Sequence, residues 1–261
     1  MKCFVINLKR AVERRNYISN QLAQVSQEFE FFEGVDWRNL NRSLPIKTGK
    51  NLKIRKSFRP MSRGELGCNL SHRKILNWLV KSSENMIAVL EDDVRVSKDL
   101  TEVLCSLECS IPTKNNFGIV FLGSKISSSR RRSKTDLVDL IPLNTKYNLS
   151  LSRRLEGGTY GYVITKEAAV EFLRKLPLPT GPIDDALHAY FLHRIKTYTL
   201  NPQVVFHEEE AKRFSYIKEE GIQIVRLQNK IMSFFPKCYE KISHEIHFRK
   251  RVRTEKKGNH S

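Results

Sequence analysis

Three consecutive carboxylates, Glu91, Asp92 and Asp93, follow directly on the apolar run MIAVL (86–90), and Val94 resumes the apolar pattern behind them. A short apolar run of this kind reads as a buried strand, which puts the acids at its carboxyl end. Adjacent carboxylates repel one another. Holding them at the edge of an apolar core is costly unless a cation or strong hydrogen bonds compensate. Oxygen ligands of this hardness suit Mg²⁺ or Mn²⁺, ions that usually bridge to substrate phosphates. The plainer alternative has one acid capping the next helix and the others solvated.

Several elements must position those acids. CFVINL (3–8) reads as a buried strand, and Val12, Ile18, Leu22 and Val25 recur behind it at near-helical intervals. FEFF (29–32) reads as the next strand, and the basic span 38–60, with Pro45, Gly49 and Pro60, as a loop or flap. A long helix is predicted over 62–80, where Ser62 and Glu65 match the S-x-x-E capping box and Leu66, Leu70, Ile75 and Leu79 form an apolar face. After MIAVL come a helix around 98–108, the strand FGIVFLG (117–123), the loop SKISSSRRRSK and the strand TYGYVI (159–164). Thr165 is placed to cap a helix that Pro177 and Pro179 end, a second helix is expected over 181–195, and TYTLNPQVVFH (197–207) supplies a last pair of short strands.

This alternation predicts one α/β domain over residues 1–207 with a mainly parallel central sheet. In such sheets ligands collect at the carboxyl ends of the strands, where the three acids stand. From residue 208 to 261 the composition becomes helical and increasingly basic, which predicts an appended element.

The 261 residues, 40% of them hydrophobic, suffice for one large core. Forty-six Lys and Arg against 28 Asp and Glu give a net charge of +18, and hence attraction to polyanions: nucleic acid, anionic membrane or phosphorylated ligands. The five cysteines are scattered and lack the paired spacings of a zinc site or a disulfide framework, which fits a reducing cytoplasm. The first residues carry too short an apolar run for a signal peptide, and no stretch approaches the roughly 18 apolar residues of a membrane span, so the expectation is a soluble or peripheral protein.

Taken in order, VINLKRAVERR, SRGELGCNLSH, VLEDDV and GTYGYVITKEAA followed by PIDD resemble glycosyltransferase family 25, the bacterial lipopolysaccharide and lipooligosaccharide galactosyltransferases, over about residues 2–207. The resemblance implies a GT-A-like nucleotide-sugar-binding domain with a strand-end acidic motif and a divalent metal, Mn²⁺ or Mg²⁺. It also implies transfer of galactose from UDP-galactose to a terminal sugar of a lipooligosaccharide, as a β-1,4 linkage with inversion. A related chemistry with another donor, such as UDP-glucose, keeps the same fold.

On that resemblance Asp93 is the metal ligand, Asp92 reaches the donor ribose or sugar, and His207 either completes the metal site or is an ordinary strand-end histidine. Asn7 and Leu8 would hold uracil and ribose, with Arg14 at the diphosphate. Glu65, Ser71 and His72 lie on the donor side of the 62–80 helix, although Glu65 also fits a cap and His72 a packed core histidine. Gly158 and Tyr160 would wall the sugar pocket, Tyr160 being equally at home in a strand core. Inverting transfer needs a base for the acceptor hydroxyl, and the Asp184–Asp185 pair supplies a carboxylate. The helix-start reading of that pair is simple dipole stabilisation.

Between 222 and 248 apolar residues interleave with basic ones, and HFRKRVRTEKK nears the chain end. Such a segment suits the anionic inner face of the cytoplasmic membrane. The alternative docks its apolar side on the catalytic domain. A nucleic-acid-binding protein, suggested by charge and SSSRRRSK, has no recognisable motif here and leaves the acidic strand end unexplained.

Overall fold

A computed structural model describes residues 1–40, 61–110, 117–125, 137–152, 157–179, 181–207 and 243–254. In chain order the elements begin with β1 (Lys2–Asn7), α1 (Val12–Gln24), β2 (Glu30–Glu33), a 3₁₀ turn (Trp37–Asn39), α2 (Arg63–Lys81), β3 (Met86–Glu91), β4 (Val94–Val96) and α3 (Leu100–Cys109). They continue with β5 (Ile119–Lys125), β6 (Leu137–Pro142), β7 (Asn148–Ser152), β8 (Gly157–Thr165), α4 (Lys166–Lys175), α5 (Ile183–His188), α6 (Tyr190–His193), β9 (Thr197–Asn201) and β10 (Val205–His207). A last helix, α7, spans 243–254.

The strands form one eight-stranded sheet in the order β2-β1-β3-β8-β5-β9-β7-β6, and a separate two-stranded ribbon pairs β10 with β4. β1 runs parallel to β2 and β3, and β5 parallel to β9. The sheet is nevertheless mixed, which corrects the expected mainly parallel one: β8 is antiparallel to both β3 and β5, and β7 to both β9 and β6. A strand buried on both faces reads as a continuous apolar run whichever way it points, so composition carries no signal of direction.

Alternation along the central strands divides the core into two layers. Met86, Ala88 and Leu90 of β3 pack with Ile18 and Leu22 of α1 and Val103 and Leu107 of α3. Ile87 and Val89 face Ile75, Leu76 and Leu79 of α2 and Phe172 of α4. Helices therefore cover both faces. The polar residues that continue these strands emerge at one edge.

Local sequence accounts for the helix ends. At α2 the Ser62 hydroxyl accepts from the Glu65 amide (3.2 Å) and the Glu65 carboxylate accepts from the Ser62 amide (2.8 Å), completing the box that the sequence predicts. Thr165 caps α4 through the Ala168 amide. The helix expected over 181–195 is two short ones, α5 and α6, separated at Ala189, whose ψ of 62° leaves the helical region.

Two glycines decide where the ribbon lies. Gly123 and Gly161 face each other across β5 and β8. A Cβ at Gly123 would stand 1.8 Å from the Val205 carbonyl oxygen, and one at Gly161 2.7 Å from Leu90 Cδ2. Bare backbone at both positions lets β10 lie directly on the sheet and carries its end, His207, over the end of β3.

Helix α7 packs Phe248 and Val252 against the core, and Arg251 is buried, donating to the Thr197 carbonyl (2.8 Å) over the rings of Tyr190 and Tyr198. In 243–254 the apolar side thus docks on the domain. The rest of the basic extension, the flap from residue 41 to 60 and the Ser/Arg-rich loop from residue 126 lie outside the described residues. Among the described residues no helix is long and apolar enough to cross a membrane.

Candidate active site

β1 is flanked by β2 on one side and β3 on the other, although the chain visits them in the order β1, β2, β3. That reversal of winding makes the carboxyl ends of β1 and β3 a topological switch point, the usual crevice for a ligand in an open sheet. A cleft opens there, lined among others by Leu8, Arg14, Trp37, His72, Asp92 and Asp93.

The first turn of α1 brings Arg14 over both strand ends. Its Nη1 donates to Asp92 Oδ1 at 2.7 Å, and its Nη2 donates to Asp93 Oδ2. Asn7, buried at the end of β1, donates to the second Asp92 oxygen at 2.8 Å and to the Ala11 carbonyl at 3.3 Å. Both carboxylates are thereby engaged, yet the site remains electrostatically loaded. Burial pushes Asp92 up to about 6, against the pull of Arg14, with Asp93 adding to the rise. Asp93 is raised too, first by burial, with Arg14 and His207 opposing. One guanidinium does not satisfy two buried acids.

His207 faces Val94 in the antiparallel β4–β10 pairing, next to Asp93, with its ring 5.2 Å from that of Tyr160. It is exposed to solvent. Asp93 and His207, 114 residues apart in the sequence, are therefore neighbours in space.

Glu91 turns the other way. The Thr159 hydroxyl on β8 donates to Glu91 Oε1, and His72 Nε2 stands 3.7 Å from the same oxygen, beyond hydrogen-bond reach. Burial works to raise Glu91, but the His72 ring, the Thr159 hydroxyl and Arg14 outweigh it and hold the carboxyl below its usual range. The other His72 nitrogen, Nδ1, pairs with the Tyr162 hydroxyl at 2.9 Å.

Asp184, in the first turn of α5, accepts from the Gly158 amide at 3.1 Å. Gly158 has φ +86°, a left-handed conformation that glycine adopts without strain. The start of β8 thus joins Asp184 to Thr159 and Glu91. Asp185 is half-buried in the same turn, but the carboxylate that meets β8 is that of Asp184.

Some residues expected at the donor have other duties. The Glu65 carboxylate is used in the α2 cap. Ser71 lines the cleft, but its hydroxyl donates to the Gly67 carbonyl and accepts from the Val35 amide, both at 2.7 Å, fixing the 34–35 turn to α2. Tyr160 is buried with its ring on His207 instead of forming an open wall.

The model of the family described as glycosyltransferase family 25 (LPS biosynthesis protein) matches residues 1–187. The chain belongs to glycosyltransferase family 25. Among its relatives, human procollagen galactosyltransferase 2 is 27% identical over 81% of this chain and 33% of its own length. Procollagen galactosyltransferase 1-B of Xenopus laevis is 31% identical over 75% of this chain and 32% of its own. The chain spans about a third of these animal relatives. The lipooligosaccharide biosynthesis protein lex-1 of Haemophilus influenzae matches nearly end to end, 24% identical over 84% of this chain and 80% of that one.

Sequence reading missed several residues of this family 25 site. Asn69, fully buried on α2, donates to the Gly181 carbonyl at 2.7 Å. Arg73, one turn on, donates to Asn69 Oδ1 (2.8 Å) and to the Leu178 carbonyl (2.9 Å), and burial brings its guanidinium down to about 10. Together they pin the loop that delivers Asp184. The available signal was a polar pair at i, i+4 interrupting the apolar side of α2. Thr159, which holds Glu91, gave no such signal.

Proposed function

We propose that this chain is a galactosyltransferase that moves galactose from UDP-galactose to a terminal sugar of lipooligosaccharide or lipopolysaccharide, forming a β-1,4 bond with inversion. The observation that carries the reading is the acid pair Asp92–Asp93, held by Arg14 and Asn7 at the switch point, with His207 beside it. Family membership and the names of the relatives, procollagen galactosyltransferase and lipooligosaccharide biosynthesis protein, support the sugar and the acceptor class.

A divalent ion, Mn²⁺ or Mg²⁺, fits the donor set, because burial first, and neighbouring carboxylates second, raise both Asp92 and Asp93 although Arg14 opposes the rise, and a further cation at the pair would favour their ionised forms. Asp93 and His207 would hold it. When bound, it supplies charge neutralisation for a departing diphosphate. Asn7 and Leu8 bound the uracil and ribose end, Asp92 orients the ribose or sugar, and Arg14 turns from the acids toward the diphosphate. Asp184 takes the proton of the acceptor hydroxyl while that oxygen bonds to the anomeric carbon and the bond to UDP breaks on the opposite face. Gly158 donates to Asp184 and fixes its carboxylate for that task.

A lipid-linked acceptor of this class supports a cytoplasmic location for the enzyme, peripheral on the inner face of the cytoplasmic membrane. Lys250 and Arg253 on the outer side of α7 would contribute about 1 kcal/mol each on an anionic surface. Reversing both to Glu should weaken binding to anionic vesicles; unchanged binding would reject this role for α7.

The deciding experiment offers purified protein UDP-galactose, UDP-glucose and UDP-N-acetylhexosamines with a set of sugar acceptors, in Mn²⁺ or EDTA. Metal-dependent transfer from UDP-galactose is expected. No turnover or hydrolysis with any donor would overturn the reading.

A further inference from the structure

Behind the acid pair stands a different set of ligand atoms. Cys68 and His72 are one turn apart on α2 and share a face, and Glu91 comes from the end of β3. The Cys68 Sγ, a His72 ring nitrogen and a Glu91 carboxylate oxygen all lie within 4.8 Å of one another.

His72 is 1% exposed, and its Nε2 is buried without a hydrogen-bond partner. A buried imidazole nitrogen left this way costs stability unless something else uses it. It points at Glu91 Oε1, 3.7 Å away. Around a tetrahedral Zn²⁺, with bonds of about 2.0–2.2 Å to imidazole nitrogen and carboxylate oxygen, those two ligand atoms stand about 3.3–3.5 Å apart. The His72–Glu91 separation of 3.7 Å lies a few tenths of an ångström from such an edge.

Outer partners are also in place. In the tautomer with the proton on Nδ1, His72 donates to Tyr162 Oη and keeps its lone pair on Nε2, facing inward, and the Thr159 hydroxyl fixes the Glu91 carboxylate. Cys68, His72 and Glu91 all line the cleft, so an ion has a path in and a fourth coordination position on the open side. We propose that Cys68, His72 and Glu91 form a binding site for a thiophilic divalent cation of the Zn²⁺ class, separate from the carboxylate–histidine site proposed at Asp93 and His207. On binding, the Cys68 thiol passes its proton to solvent, and thiolate plus carboxylate balance the charge of the ion. The bound ion ties α2 to the end of β3, two walls of the cleft.

The test is Co²⁺ titration of the chelator-stripped full chain, followed by its thiolate-to-cobalt charge-transfer absorption. The band should appear in the parent and in Asp93→Asn, and disappear in Cys68→Ala. Tyr162→Phe, which keeps the ring, should lower Zn²⁺ affinity about tenfold by removing an outer partner. As a check that does not depend on a variant folding, Zn²⁺ should protect Cys68 of the parent protein from alkylation, read by peptide mapping. Absence of the band in the parent, its persistence in Cys68→Ala, or unprotected Cys68 in Zn²⁺ would each overturn the proposal. These readouts are independent of sugar transfer, so a failed transfer assay leaves them unaffected.

Discussion

Arg14 on α1 divides its guanidinium between Asp92 and Asp93, with Nη1 2.7 Å from Asp92 Oδ1 and Nη2 on Asp93 Oδ2, across 78 and 79 residues of sequence. The three side chains are 14%, 8% and 20% exposed, so solvent shields them little. Arg14 is therefore the resident counter-charge of the acidic strand end. Removing one partner of a buried ion pair costs about 3–5 kcal/mol because the other charge is left uncompensated. Arg14→Ala should show a loss of this size in chemical denaturation without metal, and Mn²⁺ should raise its melting temperature more than that of the parent. Equal stability of variant and parent would contradict the assignment.

Asp92 gives a pH dependence with a definite sign. Its carboxyl is raised from 3.8 to about 6 by burial, so the native state holds the proton more tightly than the unfolded chain does. The stabilising contribution is then full below about pH 4 and lost as pH rises through about 6, in total about 3 kcal/mol. Asp92→Asn cannot ionise and leaves Arg14 paired with Asp93, so it should match the parent near pH 4 but unfold at higher temperature above pH 7. Thermal melts across pH 4–8 check this; parallel curves for the two proteins would refute it.

Much of this site was legible because it sits at element boundaries that local sequence marks. The apolar run 86–90 ends where β3 ends, Ser62 and Glu65 cap α2 as their spacing requires, and Thr165 caps α4. These signals act over a few residues. Strand direction does not, which is why the antiparallel β8 was missed. The partner of Glu91 was missed for the same reason: Thr159 meets it only because β8 runs back beside β3, 68 residues away. Gly123 and Gly161 look like ordinary strand glycines until β10 is laid across them. The break at Ala189 was likewise invisible to periodicity.

Asp184 and Asn69 should separate under kinetics. Asp184→Asn should keep the fold and remove the proposed base, so kcat should fall at least about 100-fold while donor KM holds. Asn69→Ala leaves the Gly181 carbonyl and Arg73 short of a buried partner, costing about 1–3 kcal/mol of stability. Its kcat should fall less, again with donor KM unchanged. Steady-state kinetics with varied UDP-galactose measure both, and a rise in donor KM with kcat intact would move Asp184 to donor binding.

Gly123→Ala forces a methyl into the backbone of Val205, where its Cβ would stand 1.8 Å from the carbonyl oxygen and 2.7 Å from the carbonyl carbon. Overpacking of this kind costs about 1–3 kcal/mol. Because β10 must lift to make room, His207 should move off the cleft and metal-dependent activity should fall in step with stability. A variant with full activity and unaltered melting would show that the ribbon does not depend on bare backbone at this position.

Asp93 is proposed to help hold a divalent ion through which the strand-end cleft takes a nucleotide diphosphate. Calorimetric titration of UDP into the purified chain, with and without Mn²⁺, in parent and Asp93→Asn, tests it most directly. UDP should bind the parent only with Mn²⁺ and fail to bind Asp93→Asn under either condition. Normal Mn²⁺-dependent binding of UDP by Asp93→Asn would contradict the account.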